Sequence, residues 1–231
     1  GVLKADYPGI NPVLVDSTLD ALKLVSVGEV DAYVGSQYVA SYLIEQNLLH
    51  SVKPAAHFGD KPQFLHMAVP NDRIILRDIM DKALGAISET EKRTIIQHYA
   101  PASFLAAVST ADGSINLSDE EKGWLKKKHV IRVANETDWP PFDFVENDKP
   151  TGFSIDMIKK VAGLVGLKVE FVNGFIWPEL VNKFHDGSID VLPAVYFTPK
   201  RSKTMDFTNG YAVNPPALAF KKDRTELNSL E

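Results

Sequence analysis

The chain has 231 residues, 45% hydrophobic and 24% charged, enough to bury one or two ordinary cores. A net charge of -5 and the lack of any dense Lys/Arg stripe exclude a nucleic-acid partner from the expectations. No apolar run is long enough to span a bilayer, and zero Cys excludes disulfides, thiolate metal sites and cysteine catalysis.

The first part of the chain alternates strand and helix signals. Pro12–Asp16 is a short apolar run that predicts a strand. Ser17 with Asp20 three positions on predicts a capped helix start. Val30–Gly35 predicts a strand, Tyr38–Glu45 a helix and Phe64–Val69 another strand. Leu76, Met80, Ala83 and Ile87 form a helical stripe, and Ser88 with Glu91 predicts a second capped helix running to about Tyr99. The stretch Ala100–Asn116 is small, polar and aperiodic, and reads as a linker. Ser118 with Glu121 opens a third capped helix, and Lys126, Lys127 and Lys128 read as its solvated end.

After that the alternation restarts. Val130–Ala134 predicts a strand that runs into Trp139-Pro140-Pro141-Phe142. Ile155, Ile158, Val161, Ala162 and Val165 form the core stripe of a helix. Leu167–Val172 predicts a strand, Glu179–Phe184 a short helix, Ile189–Leu192 a strand and Pro215–Phe220 a later strand. Thr198 as cap and Pro199 at the first helical position predict a helix start that places Arg201 in its first turn. A cation there opposes the helix dipole by a few tenths to about 1 kcal/mol, a penalty that a bound anion would reverse. The lesser alternative is that the same arginine is solvated or paired with Asp206.

Two αβ turns echo each other: Gly28-Glu29-Val30-Asp31 and Gly187-Ser188-Ile189-Asp190. The echo fits either two ordinary helix ends or two related lobes. The chain starts at Gly1 without a leader pattern and reads as a fragment. Its six histidines are scattered, with no metal-ligand spacing, and His185 reads as a surface residue.

Several motifs, in order, carry a family resemblance: Trp139-Pro140-Pro141-Phe142, Lys149-Pro150-Thr151-Gly152-Phe153, Trp177, Gly187-Ser188-Ile189-Asp190, Thr198-Pro199-Lys200-Arg201 and Met205-Asp206-Phe207-Thr208. Together they resemble the first lobe of the family 3 extracellular solute-binding proteins, the Venus-flytrap modules of amino-acid uptake. Gly28–Ile44 and Phe64–Tyr99 resemble the other end of the same module, its second lobe and closing helices. The implied fold class is α/β, periplasmic binding protein-like II, represented by parts of two consecutive modules. The implied segments are residues 1–105 (end of a first module), a linker at 106–117, and 118–231 (first lobe of a second module). This inverted order resembles the tandem sensor regions of membrane-bound histidine kinases and cyclic-dinucleotide enzymes. Two explanations fit the cut points, neighbouring sequence outside the chain or a permuted packing of the two halves; the first is the expectation.

The resemblance also implies a site without catalytic residues, metal or cofactor. Arg201 would clamp a ligand carboxylate, for which a planar fork is suited. Trp139 and Trp177 would hold the ligand side chain between aromatic faces, although Trp177 fits core packing as well. Tyr196 and Thr198 belong to the same loop, and Glu136 matches an acidic residue that faces the ligand. Ser36 stands where amino-acid binders carry an ammonium-pairing Asp. Tyr196 and Ala194 also depart from the usual small hydroxyl residue and Gly. Phe142 reads as core.

The expected function is a non-catalytic extracytoplasmic sensor of a small anionic or zwitterionic metabolite. It would signal by lobe closure to a membrane-bound output domain and be attached to an inner-membrane protein in the periplasm, with a dimer through the sensor as a further partner. The alternative is an amino-acid-binding receptor of an ABC transporter. A dehydratase on the same fold ranks third, with Glu136 as its general acid.

Overall fold

In the computed structural model, residues 7–57, 63–99 and 114–224 are described. In chain order the first elements are α1 (Thr18–Val27), β1 (Ala32–Ser36), α2 (Gln37–Gln46), β2 (Val52–His57) and β3 (Phe64–Pro70). Then come α3 (Ile74–Ala86), α4 (Glu89–Ile96), α5 (Asp119–Lys127), β4 (Val130–Ala134), β5 (Asp138–Trp139), β6 (Asp143–Glu146) and β7 (Lys149–Thr151). The last are α6 (Phe153–Leu164), β8 (Lys168–Val172), α7 (Trp177–His185), β9 (Leu192–Tyr196), β10 (Met205–Phe207), β11 (Ala212–Val213) and β12 (Pro216–Lys221). They form two compact units, one from residues 7–57 and 214–224, the other from 63–99 and 114–213.

In the first unit, Ser17 Oγ accepts the Asp20 N–H at 3.1 Å and starts α1, as its spacing predicts. Gly28 ends that helix at φ 82°, with its N–H on Leu24 O and Val25 O, a left-handed cap that suits glycine. Leu22 and Val25 of α1 and Val39, Ala40 and Leu43 of α2 are buried. The sheet has the order β1-β12-β2, with β12 central and antiparallel to both neighbours. Leu218 and Phe220 of β12 are buried, as a central strand requires.

In the second unit, β3 is the central strand, antiparallel to β9, β10 and β11. Leu65, Met67, Ala68 and Val69 are fully buried, so β3 is apolar on both faces. β4 runs parallel to β8, and Val133 makes a parallel bridge to Val191 just before β9. A core of Ala68, Ala134, Leu180, Phe184, Ile189, Leu192, Val195 and Met205 fills the space between this sheet and α7. Both capping boxes form, Ser88 with Glu91 and Ser118 with Glu121. The stripe Leu76, Met80, Ala83 and Ile87 is buried along and just beyond α3.

Four local expectations shift. Pro12–Asp16 is not a strand: among the described residues no ladder pairs it, and Leu14 is 93% exposed. The strand expected at Ile189–Leu192 begins at Leu192, because Asp190 N and Val191 N are both turned onto Arg132 O. The second capped helix stops at Ile96 rather than Tyr99. The helix expected after Thr198 is a single 3-10 turn, Arg201–Lys203.

The linker expectation at 106–117 falls mostly outside the described residues, as does the end beyond 224. The expected segments 1–105 and 118–231 run along the chain, whereas each compact unit takes residues from before and after the linker. β3 of the front segment pairs with three strands of the back segment, and β12 of the back segment pairs with two strands of the front.

Asp190 ties the second unit together. It is fully buried, and its carboxylate accepts from Arg132 N (2.8 Å), Nε (3.0 Å) and Nη2 (3.1 Å). Lys128 Nζ lies 3.5 Å away and Arg73 Nη1 completes the group. Arg73 is the residue before α3, so a front-segment cation is bound to a back-segment carboxylate. Removing one member of a buried charge network leaves the others uncompensated. Asp190→Ala is therefore expected to cost about 3–5 kcal/mol, read as a lowered urea midpoint. A loss below about 1 kcal/mol would contradict the role assigned to this carboxylate.

Candidate ligand-binding site

The parallel register Val130↔Lys168 to Ala134↔Val172, with the Val133↔Val191 bridge, brings the carboxyl ends of β4, β8 and β9 to one edge. In open α/β sheets this edge is where ligands bind. Three loops leave it: 135–139 after β4, 173–176 after β8 and 197–200 after β9. They carry Glu136 and Trp139, Trp177 at the head of α7, and Thr198 and Arg201.

The loop after β4 is held from behind. Phe142 N donates to Trp139 O at 3.0 Å, and the Pro140–Pro141 bond is cis. Pro141 O and Phe142 O accept from Phe153 N (2.9 Å) and Ser154 N (2.8 Å) at the start of α6. Gly152 sits at φ 126°, and a Cβ there would run into Phe142 O and lie 2.9 Å from Asp143 N. That close approach is the reason for glycine in Thr151-Gly152-Phe153.

The aromatic residues form a chain from the edge into the core. The Trp139 ring lies 5.9 Å from Tyr196, edge to face, and 5.2 Å from Phe142. Phe142 is buried and contacts Phe153 at 6.4 Å, and Phe153 contacts Tyr211 at 5.9 Å. Trp139 remains half-buried, so its outer face belongs to the edge. Trp177 is also half-buried and packs its inner side against the Leu180/Phe184 core. Its ring also lies under Arg201, whose Cζ is 5.5 Å from the ring centroid.

Arg201 is fixed by three contacts. Its N–H donates to Thr198 Oγ1 at 3.2 Å, its Nη1 donates to Tyr196 O at 3.0 Å, and its guanidinium covers Trp177. Among the described residues Tyr196 O is the one acceptor bonded to a fork of five N–H donors. Burial pulls the Arg201 pKa down, with the charges of Glu136 and Tyr196 opposing. The group stays a cation at neutral pH.

Glu136 stands on the loop after β4, and its charge and that of Arg201 act on each other. Burial and the Asp138 carboxylate push Glu136 up to about 7, with Arg201 pulling the other way. Behind it, Asn135 is fully buried and its Nδ2 donates to Asp143 Oδ1 (2.6 Å), Glu136 O (3.1 Å) and Phe144 O (3.2 Å). Asp143 is buried as well, and burial holds its carboxyl well above the usual range, with Glu136 adding to the rise. Sequence reasoning missed Asn135, Asp138 and Asp143. The available signal was one amide and three carboxyl side chains within nine positions directly after an apolar strand.

The structure thus brings six of the seven expected site residues, Glu136, Trp139, Trp177, Tyr196, Thr198 and Arg201, to one edge of one unit. Ser36 lies in the other unit. There its Oγ caps α2 by accepting from Val39 N at 3.1 Å and donates to Asn214 Oδ1 at 2.6 Å. Its hydroxyl is committed to the fold on both sides.

The motifs of this edge fall in the region that matches a known family. The model of the bacterial extracellular solute-binding proteins, family 3, matches residues 131–227. Over this segment the chain is similar to that family. The chain is similar to the sensor protein EvgS of Escherichia coli O157:H7, 19% identical over 222 residues, 96% of this chain and 18% of the relative. It is similar to the virulence sensor protein BvgS of Bordetella pertussis, 23% identical over 220 residues, 94% of this chain and 17% of the relative. The arginine-binding extracellular protein ArtP of Bacillus subtilis is 32% identical over 115 residues, 49% of this chain and 43% of the relative. Among solved structures, the arginine-bound Phe57Trp mutant of domain 1 from TmArgBP is 26% identical, covering 47% of this chain and 90% of that one, at TM-score 0.35. The chain spans less than a fifth of the length of the two sensor relatives.

The raised Glu136 carboxyl has a consequence for stability. The folded chain holds this proton up to about pH 7, whereas the unfolded chain releases it near 4.5. Between those values the unfolded state binds fewer protons, so stability falls as pH rises through the interval. The parent is expected to lose about 1–3 kcal/mol relative to Glu136→Gln between pH 5 and 8, measured as the difference of urea midpoints. A pH-independent difference would show that Glu136 titrates like an exposed carboxylate.

Proposed function

We propose that this chain is part of a non-catalytic extracytoplasmic sensor that recognises a small carboxylate or amino-acid-like metabolite by lobe closure. The observation that carries the proposal is the Arg201 fork, oriented by Tyr196 O and Trp177 at the carboxyl edge of the sheet beside the Trp139 face. An arginine held in this way suits a planar carboxylate, which can take two parallel N–H donors. The aromatic faces suit the rest of an amino acid or a flat carboxylic acid.

On this reading residues 1–105 and 118–231 derive from two successive flytrap modules joined through 106–117. The chain sits in the periplasm as part of an inner-membrane protein, dimerises through the sensor and passes closure to an output domain. Closure moves a signalling equilibrium only through the ligand's different affinity for the open and closed states. Support comes from the sensor relatives, whose similarity runs over 94–96% of the chain. A second reading, a receptor delivering an amino acid to a transporter, is favoured by the higher identity to the arginine-binding protein, but that match stops at 49% of the chain. Among the described residues no helix is long and apolar enough to cross a membrane.

A thermal-shift panel of amino acids and carboxylic acids on the purified chain is the test. Hits are expected to raise the melting temperature in the parent, and Arg201→Ala to weaken them by about 10–100-fold, the worth of a charged hydrogen bond. Arg201→Lys is expected to recover part of the loss, since a point charge replaces the fork. Equal affinities for parent and Arg201→Ala would remove the clamp.

A further inference from the structure

The ionic group at the start of β4 carries an inference that is independent of the ligand reading above. Arg73, Lys128 and Arg132 converge on the single carboxylate of Asp190. Its Oδ2 accepts from Arg132 N and Nε, and its Oδ1 from Arg132 Nη2, Arg73 Nη1 and Lys128 Nζ. Five donors on about four lone-pair sites saturate the carboxylate. The cations are not saturated in return. Among the described residues Arg132 Nη1 and Arg73 Nη2 bond no acceptor, neither nitrogen is buried, and Asp190 is the one acceptor of Lys128 Nζ. The side chains of Arg73, Lys128 and Arg132 are 25%, 38% and 37% exposed, so an ion can reach them from solvent. Both guanidinium groups meet at Gly187, whose carbonyl accepts from Arg132 Nη2 at 2.6 Å and whose Cβ, if it had one, would lie 3.8 Å from Arg73 Nη2. Burial, and then the charges of Arg73 and Arg132, pull the Lys128 pKa down, as crowded cations do. The carboxylates at the rim are Asp72, 3.9 Å from Arg73 Nε and 81% exposed, and Asp186, exposed and accepting from Ser188 N at 2.8 Å. Water and salt screen both. α3 begins directly after Arg73 with no side-chain cap and no acidic residue in its first turn, so its positive end adds to the field.

We propose that this cluster is a second binding site, for a dianionic tetrahedral oxyanion such as inorganic phosphate or sulfate, held by Arg73 Nη2, Arg132 Nη1 and Lys128 Nζ. Three cations in contact with one carboxylate leave two positive charges in excess, which a dianion balances. Donors on three separate side chains suit an ion with several oxygens, whereas a lone carboxylate is matched by one two-donor fork. The bound ion ties the start of α3 to the start of β4 and the approach to β9. It sits at the opposite end of β4 from the Arg201 edge, a five-residue strand of about 16 Å away.

The test is isothermal titration calorimetry of the purified chain with sodium phosphate and, separately, sodium sulfate at neutral pH, with ionic strength held constant by sodium chloride. The parent is expected to bind one ion of either kind per chain. Lys128→Gln leaves both arginines on Asp190 and is expected to weaken phosphate about tenfold, the worth of a hydrogen bond to a charged group. Lys128→Arg is expected to restore the affinity. Arg73→Lys, which keeps a cation beside Asp190 but removes Nη2, is expected to weaken phosphate to a similar extent and gives a second reading should Lys128→Gln not fold. Arg201→Ala is expected to bind phosphate as the parent does, which separates this site from the carboxylate clamp. No heat beyond dilution with either ion overturns the site. So does equal affinity in the parent, Lys128→Gln and Arg73→Lys, or a loss seen in Arg201→Ala alone.

Discussion

The buried carboxylate of Asp190 is the constraint from which the rest of the second unit follows. It lies where β4 and the approach to β9 meet, and the backbones are joined there by Asp190 N on Arg132 O (2.8 Å) and, a residue further, by Ala134 N on Val191 O (2.9 Å). Burying a carboxylate costs several kcal/mol unless it is fully bonded. Here the donors are one backbone N–H, two nitrogens of the Arg132 guanidinium, and the Arg73 and Lys128 cations. Arg132 Nη2 also donates to Gly187 O at 2.6 Å, which fixes the left-handed turn that feeds Asp190. One residue thus sets the register of two strands, and with it the place where their far ends emerge.

Those far ends carry the candidate site, away from the buried ionic group. Ionic groups at the start of β4 saturate the Asp190 carboxylate and hold the fold. At the other end Arg201 has one protein acceptor among the described residues, and Glu136 acts on it through its charge. Between the ends lies apolar core, Ala134, Leu180, Phe184, Ile189 and Leu192. The aromatic chain Tyr196, Trp139, Phe142, Phe153 and Tyr211 joins the edge to that core, so the outer Trp139 face is braced by packed rings rather than by a free loop. Tyr211 closes it with bonds to Ser154 Oγ (2.7 Å) and Pro193 O (2.8 Å).

Much of this was legible in the sequence because it is local. The Ser17, Ser88 and Ser118 caps, the Gly28 turn and the α3 stripe are each decided within four to eleven residues of chain, where spacing and backbone geometry speak directly. The site loops were legible as well, since they follow strands and open short helices. What stayed hidden was non-local. Nothing in the apolar pattern of β3 names β9, β10 and β11 as its partners, or names β1 and β2 for β12, and those pairings decide that each unit draws on both segments. Pro12–Asp16 shows the converse, an apolar run that finds no ladder among the described residues. Ser36 was read by its alignment with a ligand-binding Asp, although a serine before an amphipathic run is first of all a helix cap. Asn135 and Asp143 were missed because polar residues after a strand are ordinarily solvated, and only the β5–β6 hairpin folding over them makes them a buried pair.

That buried pair explains why the edge holds unequal charges without coming apart. Asn135 gives its amide hydrogens to acceptors on both sides of the loop, while its Oδ1 has no partner among the described residues. An isolated ionised Asp143 behind it would be costly in so apolar a setting, and the direction of its shift shows that the neutral form is the one favoured. With Asp143 neutral, the balance at the edge reduces to Asp138 and Glu136 against Arg201. Burial first, and then the Asp138 charge, raises the Glu136 carboxyl against the pull of Arg201. A guanidinium held by one carbonyl and one indole keeps further N–H donors on its fork.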